Sequence, residues 1–218
     1  MKISGVIFDM DGLMFDTECL VNAAWRQVGR ELGLELLDGM PDLMGVNANQ
    51  AREIFKARFG PDFDYDGARR RRTILVREMI ERDGLPVKPG LYDLLQALDR
   101  LRLPAAVATS SDREMAEWYL ELAGMHSAFA AVVCGDMVER SKPDPQIFQL
   151  AASLLGSRPE ETVVLEDSFH GIRAAAAGGF LPYMVPDLRQ PTEEICALLQ
   201  GKLNTLADLI PLLEENRL

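Results

Sequence analysis

Short apolar runs recur along this chain, and loops and helical patterns alternate with them. The runs lie at Ile3–Phe8, Pro104–Ala108, Ala130–Cys134, Thr162–Leu165 and Leu181–Val185. Helical patterns lie at Gly90–Arg102, Asp112–Ala123, Pro145–Leu155 and Gly171–Ala177. Strands that alternate with amphipathic helices indicate a parallel sheet covered on both faces. We therefore predict an α/β fold, with functional residues in the loops beyond the carboxyl ends of the strands.

The first two runs are about 95 residues apart, far more than one crossover connection needs. Three helical patterns fill the interval, at Thr17–Leu34, Ala48–Phe59 and Asp64–Asp83. The segment Leu85–Gly90 has the prolines and glycine of a return linker. We expect an all-helical cap domain over residues 16–83, inserted into an α/β core of residues 1–15 and 84–218.

Two carboxylates follow the first run, in the sequence Phe8-Asp9-Met10-Asp11-Gly12. In extended backbone, residues two apart point to the same side, and Gly12 permits a sharp turn. A bare pair of this kind is more often only the polar start of a loop. An EF-hand is excluded, because counting from Asp9 puts Leu13 and Leu20 at positions five and twelve, which need oxygen ligands.

Polar residues also end the three runs that follow. They are Thr109, Ser110, Ser111, Lys142, Glu166 and Asp167. Ser111 and Glu114 have the spacing of a capping box, so we expect Ser111 to cap the next helix. Thr109 stands where a hydroxyl and helix N-terminal amides can hold a phosphate. Taken alone, Lys142 is ordinarily solvated and the two acids fit a helix N-cap.

The composition excludes several classes of protein. A net charge of −11 argues against a nucleic-acid binder, which needs a basic face. No apolar run reaches the length of a membrane span, and the N-terminus has no signal-peptide pattern. The three cysteines lie far apart, which favours reduced thiols and a cytoplasmic location. We expect no nucleic-acid or membrane partner, and a monomer or a weak dimer.

The four strand ends together resemble the haloacid dehalogenase (HAD) superfamily of aspartate-nucleophile phosphatases. Asp9 to Leu13 looks like its first motif, Thr109 its second, Lys142 its third and Glu166-Asp167 its fourth. The segments Asp16–Glu18 and Gly171–Gly178 are similar to the β-phosphoglucomutase-like branch, in which a helical cap follows the first motif. The resemblance implies a Rossmann-like core and hydrolysis of small phosphorylated metabolites, such as sugar or nucleoside phosphates.

The charges at these strand ends require a cation. Four carboxylates and one lysine would repel a phosphate, since each like-charge contact near 4 Å costs roughly 4 kcal/mol at an effective dielectric of about 20. Oxygen ligands favour Mg²⁺ over zinc. By resemblance, the ligands are Asp9, the Asp11 carbonyl, Asp167 and Glu166, the last directly or through water.

The resemblance also assigns catalytic roles. Asp9 is the nucleophile that forms a phosphoaspartate, and Asp11 is the general acid and base. Lys142 neutralises charge on the phosphoryl oxygens and Thr109 donates a hydrogen bond to them. Ser110 and Ser111 are expected to contact substrate beside Thr109.

The sequence also allows three alternatives to a phosphatase of this kind, and two of them are disfavoured by the residues themselves. Cys134 and Arg140 have the C-x5-R spacing of a cysteine phosphatase, but Asp136 and Glu139 inside that loop would repel phosphate. A non-enzymatic acidic module on a degenerate fold is disfavoured by the four intact motifs.

The run Arg69–Arg72 is interpreted as a solvated, ion-paired helix face, with substrate steering as the minority interpretation.

The remaining alternative is a β-phosphoglucomutase-type mutase, which must hold a second phosphate in its cap. Mutases of that branch use basic cap residues, and Val21, Met44 and Ala48 stand at those positions here. We therefore favour a phosphatase. Met44, Gly45 and Asn47, in the cap loop, are expected to contact the substrate.

Overall fold

The computed structural model of the chain describes residues 2–37, 43, 46 and 48–215. Its elements, in chain order, are β1 Gly5–Phe8, α1 Glu18–Leu32, α2 Ala48–Phe59, α3 Tyr65–Asp83, α4 Leu91–Leu101, β2 Ala105–Ala108, α5 Arg113–Leu122, β3 Ala131–Val133, α6 Gln146–Leu155, β4 Thr162–Glu166, α7 Phe169–Ala177, β5 Leu181–Met184, α8 Glu193–Cys196, β6 Gly201–Lys202 and α9 Leu209–Glu215. None of the described helices is long and apolar enough to span a bilayer.

The strands form one parallel sheet in the order β3-β2-β1-β4-β5-β6. This confirms the predicted α/β class, and β1 lies at the centre, between β2 and β4. Because all strands run the same way, the residues that follow β1, β2, β3 and β4 emerge at one edge.

Two apolar layers cover the sheet, because successive residues of a strand point to opposite faces. Val6 and Phe8 of β1 pack into a core that includes α4, α5 and α9. Ile7 packs on the other face, into a core that includes α6 and α7. Every residue of β1 is buried. This two-sided burial explains why the strands are short, continuous apolar runs.

The helices α1, α2 and α3 lie between β1 and β2 in the chain, as the long interval predicts. An aromatic cluster holds them together: the rings of Trp25 and Phe55 stack with centroids 4.8 Å apart, and Phe55 and Tyr65 lie 5.2 Å apart. The chain leaves the sheet for these helices near Phe15 and returns near Val87. The two connecting segments lie side by side, because Phe15 and Val87 form an antiparallel bridge.

The carboxyl-terminal part contains elements that the sequence did not predict. The strand β6 has only two residues, and α8 has four. Neither is long enough to show a hydrophobic period. The strand β6 is placed by its pairing with β5, and Ile195 of α8 packs against Ile172 of α7 and Met184 of β5. The seven-residue α9 is likewise not predicted from the sequence.

Candidate active site

Asp9 follows the last residue of β1 and is held in line with β4. Its backbone N–H donates to the Leu165 carbonyl at 3.0 Å, which continues the pairing of the two strands one residue further. The Asp9 side chain is 9% exposed. A buried carboxylate at the centre of a sheet edge is costly unless it is paired or coordinates a cation.

Lys142 supplies one such partner. Its ammonium donates to Asp9 Oδ1 at 2.5 Å, to Glu166 Oε1 at 2.6 Å and to the Ala108 carbonyl at 3.2 Å. The side chain is fully buried. Burial alone lowers the pKa of Lys142, but the Asp9 and Glu166 carboxylates outweigh it and raise that pKa. Lys142 is therefore a permanent cation joining two of the acidic residues.

Glu166 is oriented by the start of α7. Its Oε2 accepts the backbone N–H of Asp167 at 3.1 Å and that of Ser168 at 3.0 Å, together with the Ser168 hydroxyl at 2.9 Å. A Cβ on Gly171 would lie 1.8 Å from Glu166 Oε1. The carboxylate therefore fits between Lys142 and the helix only because residue 171 is a glycine.

The acidic cluster consists of Asp9, Glu166 and Asp167, which present oxygens within 4.8 Å of one another. Burial, and then the neighbouring Glu166 carboxylate, raises the pKa of Asp167 well above its ordinary value. Burial also raises the pKa of Asp9, in spite of Lys142. Asp167 Oδ2 is buried without a hydrogen-bond partner. An orphaned carboxylate oxygen among hard oxygen donors fits a divalent cation such as Mg²⁺.

Asp11 is oriented by hydroxyl groups instead. Thr17 donates to its Oδ1 at 2.8 Å, and Ser111 and Thr109 approach its Oδ2 at 2.7 and 3.3 Å. Ser111 belongs to the loop after β2, whereas Thr17 leads into α1. Asp11 thus has a fixed side chain that is held apart from the acidic cluster.

A cavity of about 380 Å³ opens over these groups. Its floor includes Asp9, Asp11, Thr109, Ser110, Ser111 and Asp167. Its opposite wall comes from the three inserted helices and includes Val21, Trp25, Ala48, Tyr65, Arg69 and Arg72. The cavity can therefore enclose a small polar molecule between the sheet edge and the helices.

The structure brings most of the predicted site residues together. Lys142 bonds to Asp9 and Glu166, and Asp167 presents an oxygen within 4.8 Å of those two carboxylates. The residues that border the cavity are Asp9, Asp11, Thr109, Ser110, Ser111 and Asp167. The predicted cap-loop residues Met44, Gly45 and Asn47 lie outside the described residues. The orienting hydroxyls of Thr17 and Ser168 are not predicted from the sequence, although each residue stands beside one of the predicted motifs.

One sequence-based interpretation is wrong. Ser111 does not cap α5, because that helix begins at Arg113 with Asp112 at the cap position, and the Ser111 hydroxyl donates to Asp11. The interpretation of the arginine run as a solvated, ion-paired face holds in part: Arg70 is exposed and Arg71 pairs with Glu31, whereas Arg69 and Arg72 line the cavity. Successive helical residues point about 100° apart, so one run serves two surfaces.

The cysteine-phosphatase alternative has no support in the structure. Cys134 is buried, and burial, with the nearby Asp136 carboxylate second, raises the pKa of its thiol to about 11. Arg140 pairs with Asp144 at 2.7 Å. A neutral, enclosed thiol is a poor nucleophile.

Comparisons with known proteins agree with this geometry. A family model for haloacid dehalogenase-like hydrolases matches residues 3–179. The fructose-1-phosphate phosphatase YqaB of Escherichia coli (strain K12) is 35% identical over 181 residues, covering 82% of this chain and 94% of the relative. A phosphorylated carbohydrates phosphatase of Thermotoga maritima is 31% identical, covering 81% of this chain and 82% of the relative. Among solved structures, a putative β-phosphoglucomutase from Thermotoga maritima is similar with a TM-score of 0.76, 28% identity and 99% coverage of both chains.

Proposed function

The chain belongs to the haloacid dehalogenase-like hydrolases, and from that premise we propose that it is a Mg²⁺-dependent phosphatase that forms a phosphoaspartate on Asp9. Its substrates are small-metabolite phosphate monoesters of the sugar or nucleoside class. The observation that carries the proposal is the buried Lys142 ammonium, which contacts both Asp9 and Glu166 beside the orphaned oxygen of Asp167. Such an arrangement neutralises part of the carboxylate charge and leaves the rest for a cation.

The metal would be held by Asp9, Asp167 and the Asp11 carbonyl, with Glu166 direct or through water. These are oxygen donors only, as Mg²⁺ prefers. The bound ion would supply positive charge against the phosphate oxygens and the attacking carboxylate. Glu166 is already bonded to Lys142 and to two backbone N–H groups, so its direct share in binding is the smaller one.

The reaction has two steps. An Asp9 carboxylate oxygen attacks phosphorus, the ester P–O bond breaks, and Asp11 gives its proton to the leaving alcohol oxygen. A water molecule then attacks the phosphoaspartate, Asp11 takes a proton from it, and inorganic phosphate leaves. The hydroxyls of Thr17 and Ser111 hold the Asp11 carboxyl group in place for both proton transfers.

The phosphoryl oxygens need donors that do not move during the reaction. The three N–H groups of Lys142 are used by Asp9, Glu166 and the Ala108 carbonyl, so Lys142 contributes a fixed positive charge behind Asp9. The Thr109 hydroxyl borders the cavity and can donate to the phosphate. Preorganised donors of this kind stabilise developing charge without reorganisation. Ser110 also borders the cavity and is placed to contact the phosphate or the adjoining hydroxyls of the substrate.

The inserted helices serve as a cap over the site. We assign residues 16–83 to this cap domain and residues 1–15 and 84–218 to the catalytic core, because the chain crosses at Phe15 and again at Val87. The named relatives act on fructose 1-phosphate and on phosphorylated carbohydrates, which supports sugar phosphates as the first substrates to test. We further propose a cytoplasmic enzyme, monomeric or weakly dimeric.

The test is a phosphate-release assay on a panel of sugar and nucleoside phosphates. Asp9→Asn should abolish turnover, and Asp11→Asn should slow it sharply while Mg²⁺ binding by calorimetry is largely retained. Asp62→Asn, at an exposed acid, is the matched control. Activity should vanish in EDTA and return with Mg²⁺, and fluoroberyllate should inhibit. Near-normal hydrolysis by Asp9→Asn, or full activity in chelator, would overturn the proposal.

A further inference from the structure

The arginines of α3 differ in what their side chains contact. Arg69 pairs with Asp112 of the core at 2.6 Å, and Arg71 pairs with Glu31 of α1 at 2.9 Å. Further along the helix, Arg77 pairs with Glu114 at 2.6 Å. Arg72 makes no ion pair or hydrogen bond with any described residue, and its Nε is buried without an acceptor. Within the run Arg69–Arg72, Arg72 is therefore the enclosed guanidinium without a partner among the described residues, whereas Arg70 is exposed.

Arg72 projects into the cavity that contains Asp9 and Asp11. Its guanidinium carbon lies 5.7 Å from the centroid of the Trp25 ring, which also lines that cavity. The group is largely enclosed by protein and borders the cavity. Burial, and then the nearby Arg69, lowers the pKa of Arg72, while Asp11 is among the groups that raise it. The side chain is thus a poorly compensated cation that faces the reacting residues.

An unpaired charge in an enclosed site is unfavourable until an anion reaches it. The scissile phosphate does not meet this need, because Lys142, Thr109 and the metal ligands lie at the sheet edge, whereas α3 forms the opposite wall. A planar guanidinium presents paired donors that match a carboxylate or a phosphate. The Trp25 ring attracts the guanidinium as a cation–π partner but carries no negative charge to neutralise it.

We propose that Arg72 binds an acidic group, a carboxylate or a second phosphate, at the end of the substrate remote from the ester that is cleaved. The inference rests on the phosphatase activity proposed above and deepens it, since it selects anionic over neutral sugar phosphates. Arg72 is then a specificity-determining residue of the helical wall. Of the other residues on that wall, Val21 and Ala48 are uncharged, Arg69 is paired with Asp112 and Arg26 is exposed.

The experiment compares substrates that differ only at the remote end. In the first pair, sorbitol 6-phosphate carries a hydroxymethyl group where 6-phosphogluconate carries a carboxylate. In the second pair, fructose 6-phosphate is compared with fructose 1,6-bisphosphate, which carries a phosphate at the remote end. The values of kcat/KM are measured for the wild type and for Arg72→Gln and Arg72→Lys. Arg70→Gln, at the exposed neighbour in the same run, is the matched control.

We expect Arg72→Gln to lower kcat/KM for the anionic substrates by roughly 10- to 100-fold, the usual loss of a hydrogen bond to a charged group. The neutral substrates should change less than about threefold, Arg72→Lys should restore part of the difference, and Arg70→Gln should behave as wild type. Whether the carboxylate or the bisphosphate arm shows the larger loss identifies the acidic group.

Equal losses on anionic and neutral substrates would mean that Arg72 only packs against Trp25, and would overturn the inference while hydrolysis stands. The absence of phosphate release from every substrate by the wild type would instead overturn the proposed function. Calorimetry with the Asp9→Asn variant separates binding from turnover: Arg72→Gln in that background should weaken 6-phosphogluconate binding and leave sorbitol 6-phosphate binding unchanged.

Discussion

Asp11 shows how much single residues could be predicted from the sequence. Asp11 is predicted to lie beside Asp9 because the two residues are two positions apart at the end of a strand, and such residues point to the same side of extended backbone. Its hydroxyl partners do not follow from that geometry, because Thr17 reaches Asp11 only through the turn that Gly12 makes at a φ of 84°. Ser111 was interpreted as a helix cap because local spacing cannot show that α5 begins one residue later.

These hydroxyls lead to the first prediction, that Thr17→Val and Ser111→Ala weaken proton transfer by Asp11. For an alkyl phosphate, whose leaving oxygen needs the proton, kcat/KM should fall roughly tenfold or more, since general acid catalysis contributes about 10²- to 10⁴-fold. For p-nitrophenyl phosphate, which leaves without help, the loss should stay below about threefold. Ser127→Ala, at an exposed serine, is the control. Equal losses on both esters would indicate a structural role alone.

At the scale of elements, the sequence predicted what long patterns can show. Five strands and seven helices were expected at their observed places within a few residues, because each buries a continuous apolar face. The two-residue β6, the four-residue α8 and the seven-residue α9 are too short to show such a face, so their packing partners in the finished fold specify them. The contact between α7 and Glu166 cannot be predicted from the sequence either, because it depends on the distance between a helix and the end of a strand.

That contact gives the second prediction, for Gly171→Ala in α7. The new methyl group would lie 1.8 Å from Glu166 Oε1, so either the helix or the carboxylate must shift. Overpacking of this kind costs about 1–3 kcal/mol of unfolding free energy, measurable by urea denaturation. Displacing Glu166 should also weaken Mg²⁺ binding by about tenfold or more, measured by calorimetry.

Ala177→Ser, at the exposed end of the same helix, should change neither quantity. If Gly171→Ala kept both the wild-type stability and the wild-type Mg²⁺ affinity, the Glu166 carboxylate would not depend on close approach to α7.

At the scale of the whole molecule, function depends on how three helices dock over a sheet edge. The sequence predicted that such a layer exists but not which residues face the site, because the run Arg69–Arg72 winds around α3 and only docking selects its inner side. Arg71 and Arg72 are neighbours in the chain, yet one meets Glu31 on α1 and the other enters the cavity. Cap chemistry is therefore the part of the function least accessible to sequence analysis alone.

The third prediction concerns the whole cycle, and separates a phosphatase from a phosphoglucomutase. A mutase must hold a bisphosphate until the second transfer, and two of the positions where that branch carries basic residues are Val21 and Ala48 here, both lining the cavity. Arg72 supplies one enclosed cation for a second phosphate, while Arg69 on the same wall is already paired with Asp112. A bisphosphate held by fewer cations is released more readily before the second transfer, and each ~1.4 kcal/mol of lost transition-state stabilisation slows that transfer about tenfold.

We therefore expect release of inorganic phosphate from monophosphates, with conversion of β-glucose 1-phosphate to glucose 6-phosphate at least about 100-fold slower. The measurement is a coupled glucose 6-phosphate assay primed with glucose 1,6-bisphosphate, run beside a phosphate-release assay on the same preparation. Efficient isomerisation with slow release would make the chain a mutase. In that case Arg72→Gln should abolish the isomerisation, because the guanidinium would then be the clamp that Val21 and Ala48 do not provide.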